Sequence, residues 1–147
     1  KEKDFRMIIL PSGRSKIGLI QVKDYGIISY LNKKDSKKIG ELIFWALNES
    51  DNEKIEDEVN VQWCKQYFNC SSNLKVVNEY NNIGFEFFEN KYSLMLNKKD
   101  GRGYSPFKDE NEDIVEYIFP EKPTALELGT KVMEMFEYKE RYDGLIE

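Results

Sequence analysis

Two segments of this chain carry a glycine near the start of an otherwise regular helical pattern, and they limit how the chain can fold. One runs over residues 39–47 and the other over residues 128–136. In each, an aliphatic residue precedes the glycine and apolar residues follow at the helical period. A glycine inside a helix costs about 1 kcal/mol relative to alanine, and the usual return is close approach of another backbone. We therefore expect Gly40 and Gly129 to be packing positions, with both helices lying in equivalent ways against strands of one sheet.

Both helices also have start signals. Asp35 or Ser36 can cap the first, while Thr124 and Glu127 fit a capping box in which both side chains satisfy amides at the start of the second. The spacing of apolar residues predicts another helix over residues 53–68, where they recur every four positions as Ile55, Val59, Trp63 and Tyr67.

Most of the remaining apolar segments favour strands, because they are short and end at turn residues. These segments cover residues 5–10, 16–22, 25–30, 83–88, 92–96 and 113–119.

The turn residues between these segments predict how the strands connect. The first three are expected to be adjacent antiparallel strands, with 25–30 as the return strand of 16–22, and the next two form a hairpin around residues 89–91. Residues 74–77 are ambiguous within a β-like middle region. Residues 97–112 are predicted to be a polar connection.

The order and number of these elements predict an α+β fold. It has a mostly antiparallel sheet of about five or six strands with about three packed helices. A chain of 147 residues is long enough to bury one core, so we expect a single domain over residues 1–147.

Composition excludes several classes of function. The net charge of −5 argues against a general nucleic-acid binder, which needs a cationic face, but it is compatible with a cationic protein partner. No apolar run is long enough to span a bilayer and no signal peptide opens the chain, so no membrane role is expected.

Few residues suited to catalysis are present. The chain has no histidine, which excludes Ser-His-Asp and Cys-His centres and the usual zinc hydrolases. Cys64 and Cys70 stand six apart, which is not a zinc or redox spacing. We expect two unpaired thiols in a reducing cytosol, with a disulfide as the alternative. No cofactor or metal site is predicted.

Two acidic clusters are the remaining candidates for function. Asp51, Glu53, Glu56, Asp57 and Glu58 surround the start of a predicted helix, where the helix dipole favours acids.

The second cluster lies in the polar connection 97–112, where no dipole accounts for it. Tyr104 and Phe107 belong to the same connection, and aromatic anchors beside charges are common in tight interfaces. The simpler interpretation is a solvated loop. The alternative, which we adopt as a prediction, is a partner-binding site made of Tyr104, Phe107, Asp109, Glu110, Glu112 and Asp113.

Several short motifs together resemble the immunity proteins of bacterial contact-dependent growth inhibition (CDI) systems. The motifs are the strand 14–20, the segment 39–50, the helix with Trp63, the strand end 118–120 and the helix at Leu128-Gly129. Asp51 departs from the pattern, which has a basic residue after the serine.

The resemblance implies an α+β protein of the bacterial cytoplasm that has no catalytic activity and no cofactor. Such a protein binds the toxic C-terminal domain of a CDI toxin, often a nuclease, and covers its active or substrate site. It contacts no nucleic acid itself. Two alternatives stay open: a non-catalytic regulatory subunit of another complex, or a small metal-dependent nuclease using Glu86, Glu89 and Lys91, although a charged hairpin tip explains those residues more simply.

Overall fold

The computed structural model describes residues 5–14, 20–23, 25–32, 34–51 and 63–147. These residues form eight strands and four helices, and the strands pair in antiparallel fashion. The predicted α+β class is confirmed, with more elements than the five or six strands and three helices expected. Predictions for residues 15–19 and 52–62, which include most of the helix expected over 53–68, lie outside the described residues.

The first four strands form two antiparallel pairs, one nested inside the other. Strand β1 (Phe5–Ile9) pairs with β4 (Ile27–Leu31), and inside this pair β2 (Ser12–Arg14) pairs with β3 (Ile20–Val22). For the described residues 20–22, the predicted pairing with segment 25–30 is therefore wrong. Pro11 has no N–H and separates β1 from β2, yet its carbonyl accepts from the Lys23 N–H at 2.8 Å, so the hairpin continues past the proline.

Two long helices follow the predicted glycine-bearing patterns. Helix α1 (Ser36–Glu49) begins after Asp35, whose carboxylate accepts from the Asn32 N–H at 3.0 Å and makes no cap bond to the helix. Helix α4 (Ala125–Tyr142) begins after Thr124, whose hydroxyl accepts from the Glu127 N–H at 3.1 Å. The Glu127 carboxylate accepts from that hydroxyl rather than from an amide, so only half of the predicted capping box forms.

The glycines lie where α1 and α4 cross. A Cβ atom at Gly40 would overlap the carbonyl oxygen of Ala125 and lie 2.7 Å from its Cα. A Cβ atom at Gly129 would overlap the carbonyl oxygen of Ser36 and lie 3.0 Å from its Cα. The predicted close approach is confirmed, but the neighbouring backbone is the other helix and not a strand. Each glycine faces the first residue of the opposite helix.

The middle of the chain forms the larger sheet. Strand β5 (Asn82–Phe88) pairs with β6 (Lys91–Asp100) across a two-residue turn at Glu89-Asn90, where φ is +49° and +62°. Two successive positive φ angles are typical of the tight hairpin turn that matches strand twist. This confirms the predicted hairpin, with a connection one residue shorter than expected.

Residues 97–106 belong to this sheet, so their prediction as a polar connection is wrong. Strand β6 continues to Asp100, and β7 (Gly103–Pro106) returns beside it. Strand β8 (Glu116–Ile118) pairs with residues 93–95 of β6. The end of β6 is polar because its last residues are exposed, and an exposed strand need not alternate apolar and polar residues.

Two short helices form a separate small cluster. Helix α2 (Trp63–Gln66) keeps part of the predicted helix 53–68. Helix α3 (Asn73–Glu79) replaces the β-like structure considered for residues 74–77. Ser72 explains the difference, since its side chain caps α3 by accepting from the Lys75 N–H at 3.2 Å.

One main core connects both ends of the chain. Its fully buried members come from α1, β6 and α4, and strand β1 adds Met7 and Ile9. The fully buried members are Ile39, Leu94, Leu96 and Leu128. None of the helices in the described part of the chain is both long and apolar enough to cross a membrane.

Candidate partner-binding surface

The predicted acidic cluster lies in a closed hairpin loop. Lys108 and Ile114 form an isolated antiparallel bridge, and inside it the Asp109 N–H donates to the Asp113 carbonyl at 2.9 Å. The Glu112 N–H donates to the Asp109 carbonyl at 3.0 Å, and Glu112 itself has a φ of +64°. We call residues 109–113 the acidic loop. Backbone hydrogen bonds close this loop at its base.

Asp109 has a structural role in this loop. Its Oδ1 atom accepts from the Asn111 N–H at 2.8 Å and from the Asp113 N–H at 3.1 Å. Aspartate side chains commonly close turns in this way. Asp109 thus has a structural function that the sequence analysis did not predict. Glu110, Glu112 and Asp113 are exposed and point charge toward solvent.

The two aromatic residues predicted as interface anchors lie in the larger sheet and in the core. Tyr104 lies in β7, where its hydroxyl donates to the Tyr80 carbonyl at 2.9 Å, and burial raises its pKa. Phe107 is only 5% exposed, and its N–H donates to the Leu96 carbonyl at 2.9 Å. Phe107 is buried in the core and Tyr104 is half-buried in β7, and their role as partner anchors stays a prediction.

Two partly exposed tyrosines from the end of α4 contact Phe107. The Phe107 ring makes edge-on contacts with Tyr142, at 4.8 Å between centroids, and with Tyr138, at 6.3 Å. Tyr138 is 38% exposed and Tyr142 is 49% exposed. They are four residues apart, so they lie on the same face of the helix.

The tyrosines and the acidic loop are neighbours, because both rings contact Phe107, which precedes Asp109 by two residues. Burial, followed by the carboxylates of Asp109 and Glu110, raises the pKa of Tyr138 above its usual value. We call the acidic loop together with Tyr138 and Tyr142 the tyrosine–acid surface. Its tyrosines were missed because only the fold brings residues 109–113 beside the end of α4. The four-residue spacing was the only signal in the sequence.

The other acidic cluster is described only at Asp51. Its carboxylate pairs with the Lys23 ammonium at 3.0 Å, and its N–H donates to the Ser12 carbonyl at 3.1 Å. These contacts tie the end of α1 to the β2–β3 hairpin. The other four acids of that cluster, Glu53, Glu56, Asp57 and Glu58, lie outside the described residues.

The residues considered for a metal-dependent nuclease lie around the β5–β6 turn. Glu86 sits opposite Ser93, Lys91 sits opposite Phe88, and Glu89 occupies the turn itself. Within the described ranges, no group of three or more His, Cys, Asp or Glu side chains is arranged to hold a metal ion.

The cysteines are free and buried in the small α2–α3 cluster. The Cys70 N–H donates to the Cys64 carbonyl at 2.7 Å. Burial raises the pKa of the Cys70 thiol, and the nearby Glu79 carboxylate adds to this effect. The expectation of two unpaired thiols is confirmed.

Comparison of the chain with protein-family models, with curated proteins and with solved structures found no match.

Proposed function

We propose that this protein is an immunity protein that binds and neutralises the toxic C-terminal domain of a CDI toxin in the bacterial cytoplasm. The toxin domain is a cationic nuclease in this proposal, and the protein covers its active or substrate site. It acts by binding and carries out no reaction of its own. The sequence resemblance to CDI immunity proteins suggested this function, and the tyrosine–acid surface supports it.

The observation that carries the proposal is the combination of charge and aromatic area on one fixed surface. Glu110, Glu112 and Asp113 are exposed on a loop whose conformation is held by the Asp109 carboxylate. Two partly exposed tyrosines stand beside them. Tyrosine is among the residues enriched at the energetic centres of interfaces.

The charge of this surface matches the proposed partner. A nuclease binds phosphates through a cationic groove, and neutralising phosphates is the main source of its affinity for nucleic acid. Carboxylates on a fixed loop can occupy such a groove in place of phosphates. The net charge of −5 also favours rapid encounter with a cationic protein.

Co-purification tests the proposal directly. An immunity gene is expected immediately downstream of its toxin gene, so the toxin domain encoded by the adjoining gene is the natural partner to express together with this protein. We expect a stable complex in which toxin activity is lost. A variant with Tyr138→Ala and Tyr142→Ala should weaken the complex, whereas Tyr30→Ala, which removes an exposed tyrosine from strand β4, should not. Absence of a complex with an active, folded toxin domain would contradict the proposal.

A further inference from the structure

Strand β4 (Ile27–Leu31) has one edge without a partner. It pairs with β1 along its full length, from Phe5 opposite Leu31 to Ile9 opposite Ile27. In the part of the chain that the structure describes, no other strand pairs with the opposite edge of β4 and no hydrogen bond joins it. Because the N–H and C=O groups of a strand point alternately to its two sides, this edge presents donors and acceptors that a further strand could pair.

The composition of β4 distinguishes this edge from the others. Its sequence, Ile-Ile-Ser-Tyr-Leu, contains no charged residue, no proline and no glycine. Proteins commonly protect a free edge with a charge or a proline, because an unprotected edge pairs with another chain. The other described strands of four or more residues with a free edge contain such a residue, which is Arg6 in β1, Glu86 in β5 and Pro106 in β7.

Two large apolar side chains of β4 are exposed. Tyr30 is 70% exposed and Ile28 is 39% exposed. They are two residues apart, so they lie on the same face of the strand, and Ile27, Ser29 and Leu31 lie on the other. Leu31 belongs to the core, so the face with Tyr30 is the one turned away from it. A further strand beside β4 would remove part of this apolar surface from water, which is favourable.

The order of these residues makes β4 complementary to itself. When two β4 strands pair in antiparallel fashion around Ser29, Ile28 lies opposite Tyr30 of the second copy, and Tyr30 lies opposite Ile28 of the second copy. Pairs of an aromatic and a β-branched residue stabilise antiparallel strands. A two-fold axis through the centre of the pair relates the two copies, so both use the same surface.

We propose that the protein forms a two-fold symmetric dimer in which two β4 strands pair in antiparallel fashion. The two-stranded sheet of β1 and β4 then continues into the same sheet of the second copy. No charged side chain of β4 repels the second copy or attracts a charged partner in its place. Pairing uses the free edge of both copies, so association stops at the dimer. The tyrosine–acid surface contains no residue of β4, so this inference is independent of the proposed function.

Sedimentation equilibrium of the full chain, from low-micromolar to near-millimolar concentration, tests the proposal. We expect the mass to rise with concentration from 17.4 kDa to twice that value. Tyr30→Lys places a charge opposite Ile28 of the second copy, and it should weaken dimerisation at least about tenfold. Phe88→Lys, the matched change at a 67% exposed aromatic residue of β5, should leave dimerisation unchanged.

A second variant tests the alignment of the two strands. Ser29→Cys places a thiol beside the two-fold axis, where directly opposite Cβ atoms are about 4.5–5.5 Å apart, so mild oxidation should link the two copies by a disulfide. Tyr142→Cys, at an exposed position outside β4, should link far more slowly, and the parent should not link because its two cysteines are buried. Gel electrophoresis without reductant measures the linked fraction.

Circular dichroism verifies that each variant is folded, and Tyr30→Lys, at an exposed position, decides the matter if Ser29→Cys does not fold. The proposal is overturned if the parent stays at 17.4 kDa at every concentration or if it associates beyond the dimer. It is also overturned if Tyr30→Lys dimerises as tightly as Phe88→Lys, or if folded Ser29→Cys links no faster than Tyr142→Cys.

Discussion

Tyr142 packs edge-on against Phe107, with ring centroids 4.8 Å apart and ring planes inclined at 84°. The contact joins the last turn of α4 to the residue that precedes the acidic loop by two positions. Edge-on aromatic pairs contribute about 0.5–1.5 kcal/mol beyond the area they bury. Phe107 is thus a buried residue against which Tyr142 of the tyrosine–acid surface packs. The part of the Tyr142 side chain that does not contact Phe107 is exposed to solvent.

Replacing either crossing glycine should destabilise the fold. In Gly40→Ala or Gly129→Ala the new methyl group overlaps a backbone carbonyl of the other helix, which cannot move as a side chain can. We expect the free energy of unfolding to fall by at least about 1–3 kcal/mol, and by more for leucine. Urea denaturation measures this. Gly103→Ala is the control, because a Cβ atom there meets nothing within 4 Å. Equal midpoints for all three variants and the parent would show that close approach is not the reason for the glycines.

Replacing Asp109 should destabilise the protein, whereas replacing one of the three exposed acids of the loop should not. Asp109→Ala removes two hydrogen bonds to backbone N–H groups, so we expect a loss of about 1–3 kcal/mol in the free energy of unfolding. Glu110→Ala removes an exposed side chain and should change stability by less than about 0.5 kcal/mol. Thermal melts compare the two. If Asp109→Ala is no less stable than Glu110→Ala, the loop is not held by the Asp109 carboxylate.

The sequence predicted the parts of this fold that depend on local pattern. Helices α1 and α4 follow the apolar period, Thr124 marks a helix start, and the β5–β6 hairpin follows from two apolar runs around a turn. Gly40 and Gly129 were recognised as packing positions. The helix that each glycine approaches was not predicted, because helical periodicity shows which face is apolar but not which element covers it.

The candidate site was only half predictable for the same reason. Residues 109–113 are a loop, as polar composition indicates. Tyr104 and Phe107 were assigned to that loop because the exposed end of β6 gives no alternating pattern, and β7 depends on β6 for its pairing. Tyr138 and the acidic loop are far apart in the sequence and are brought together only by the fold. No local sequence pattern predicts that they are neighbours.

The stability of the protein should fall at alkaline pH partly through Tyr104. Burial raises the pKa of this phenol above its usual value of 10.0. Below pH 10 it is protonated in both folded and unfolded states and contributes no pH dependence. Above pH 10 the unfolded state loses the proton first, so stability falls until the folded pKa is passed.

We therefore expect the decline in stability above pH 10 to be shallower in Tyr104→Phe than in the parent, as measured by urea denaturation at several pH values. Tyr25 and Tyr138 also have raised pKa values, so some decline remains. A decline of identical slope would show that Tyr104 ionises equally well in both states.

The purified protein should not cleave RNA or DNA, with or without Mg²⁺ or Mn²⁺. This follows from its proposed role as a binding protein, and gel assays of plasmid and total RNA check it. Metal-dependent cleavage that disappears in Glu89→Ala, and persists in Glu121→Ala as an exposed control, would instead favour the nuclease alternative.

The rate of association with the toxin domain encoded by the adjoining gene tests the central proposal most directly. The variant Glu110→Gln, Glu112→Gln, Asp113→Asn removes three exposed charges and keeps Asp109, which holds the loop. Its control, Glu41→Gln, Glu121→Gln, Glu147→Gln, removes three exposed charges elsewhere. Stopped-flow rates at low and at physiological salt should be about tenfold slower for the loop variant at low salt, with a flatter salt dependence, and close to the parent for the control. A loop variant that associates as fast as the control, with the same salt dependence, would contradict the assignment of this surface to the partner.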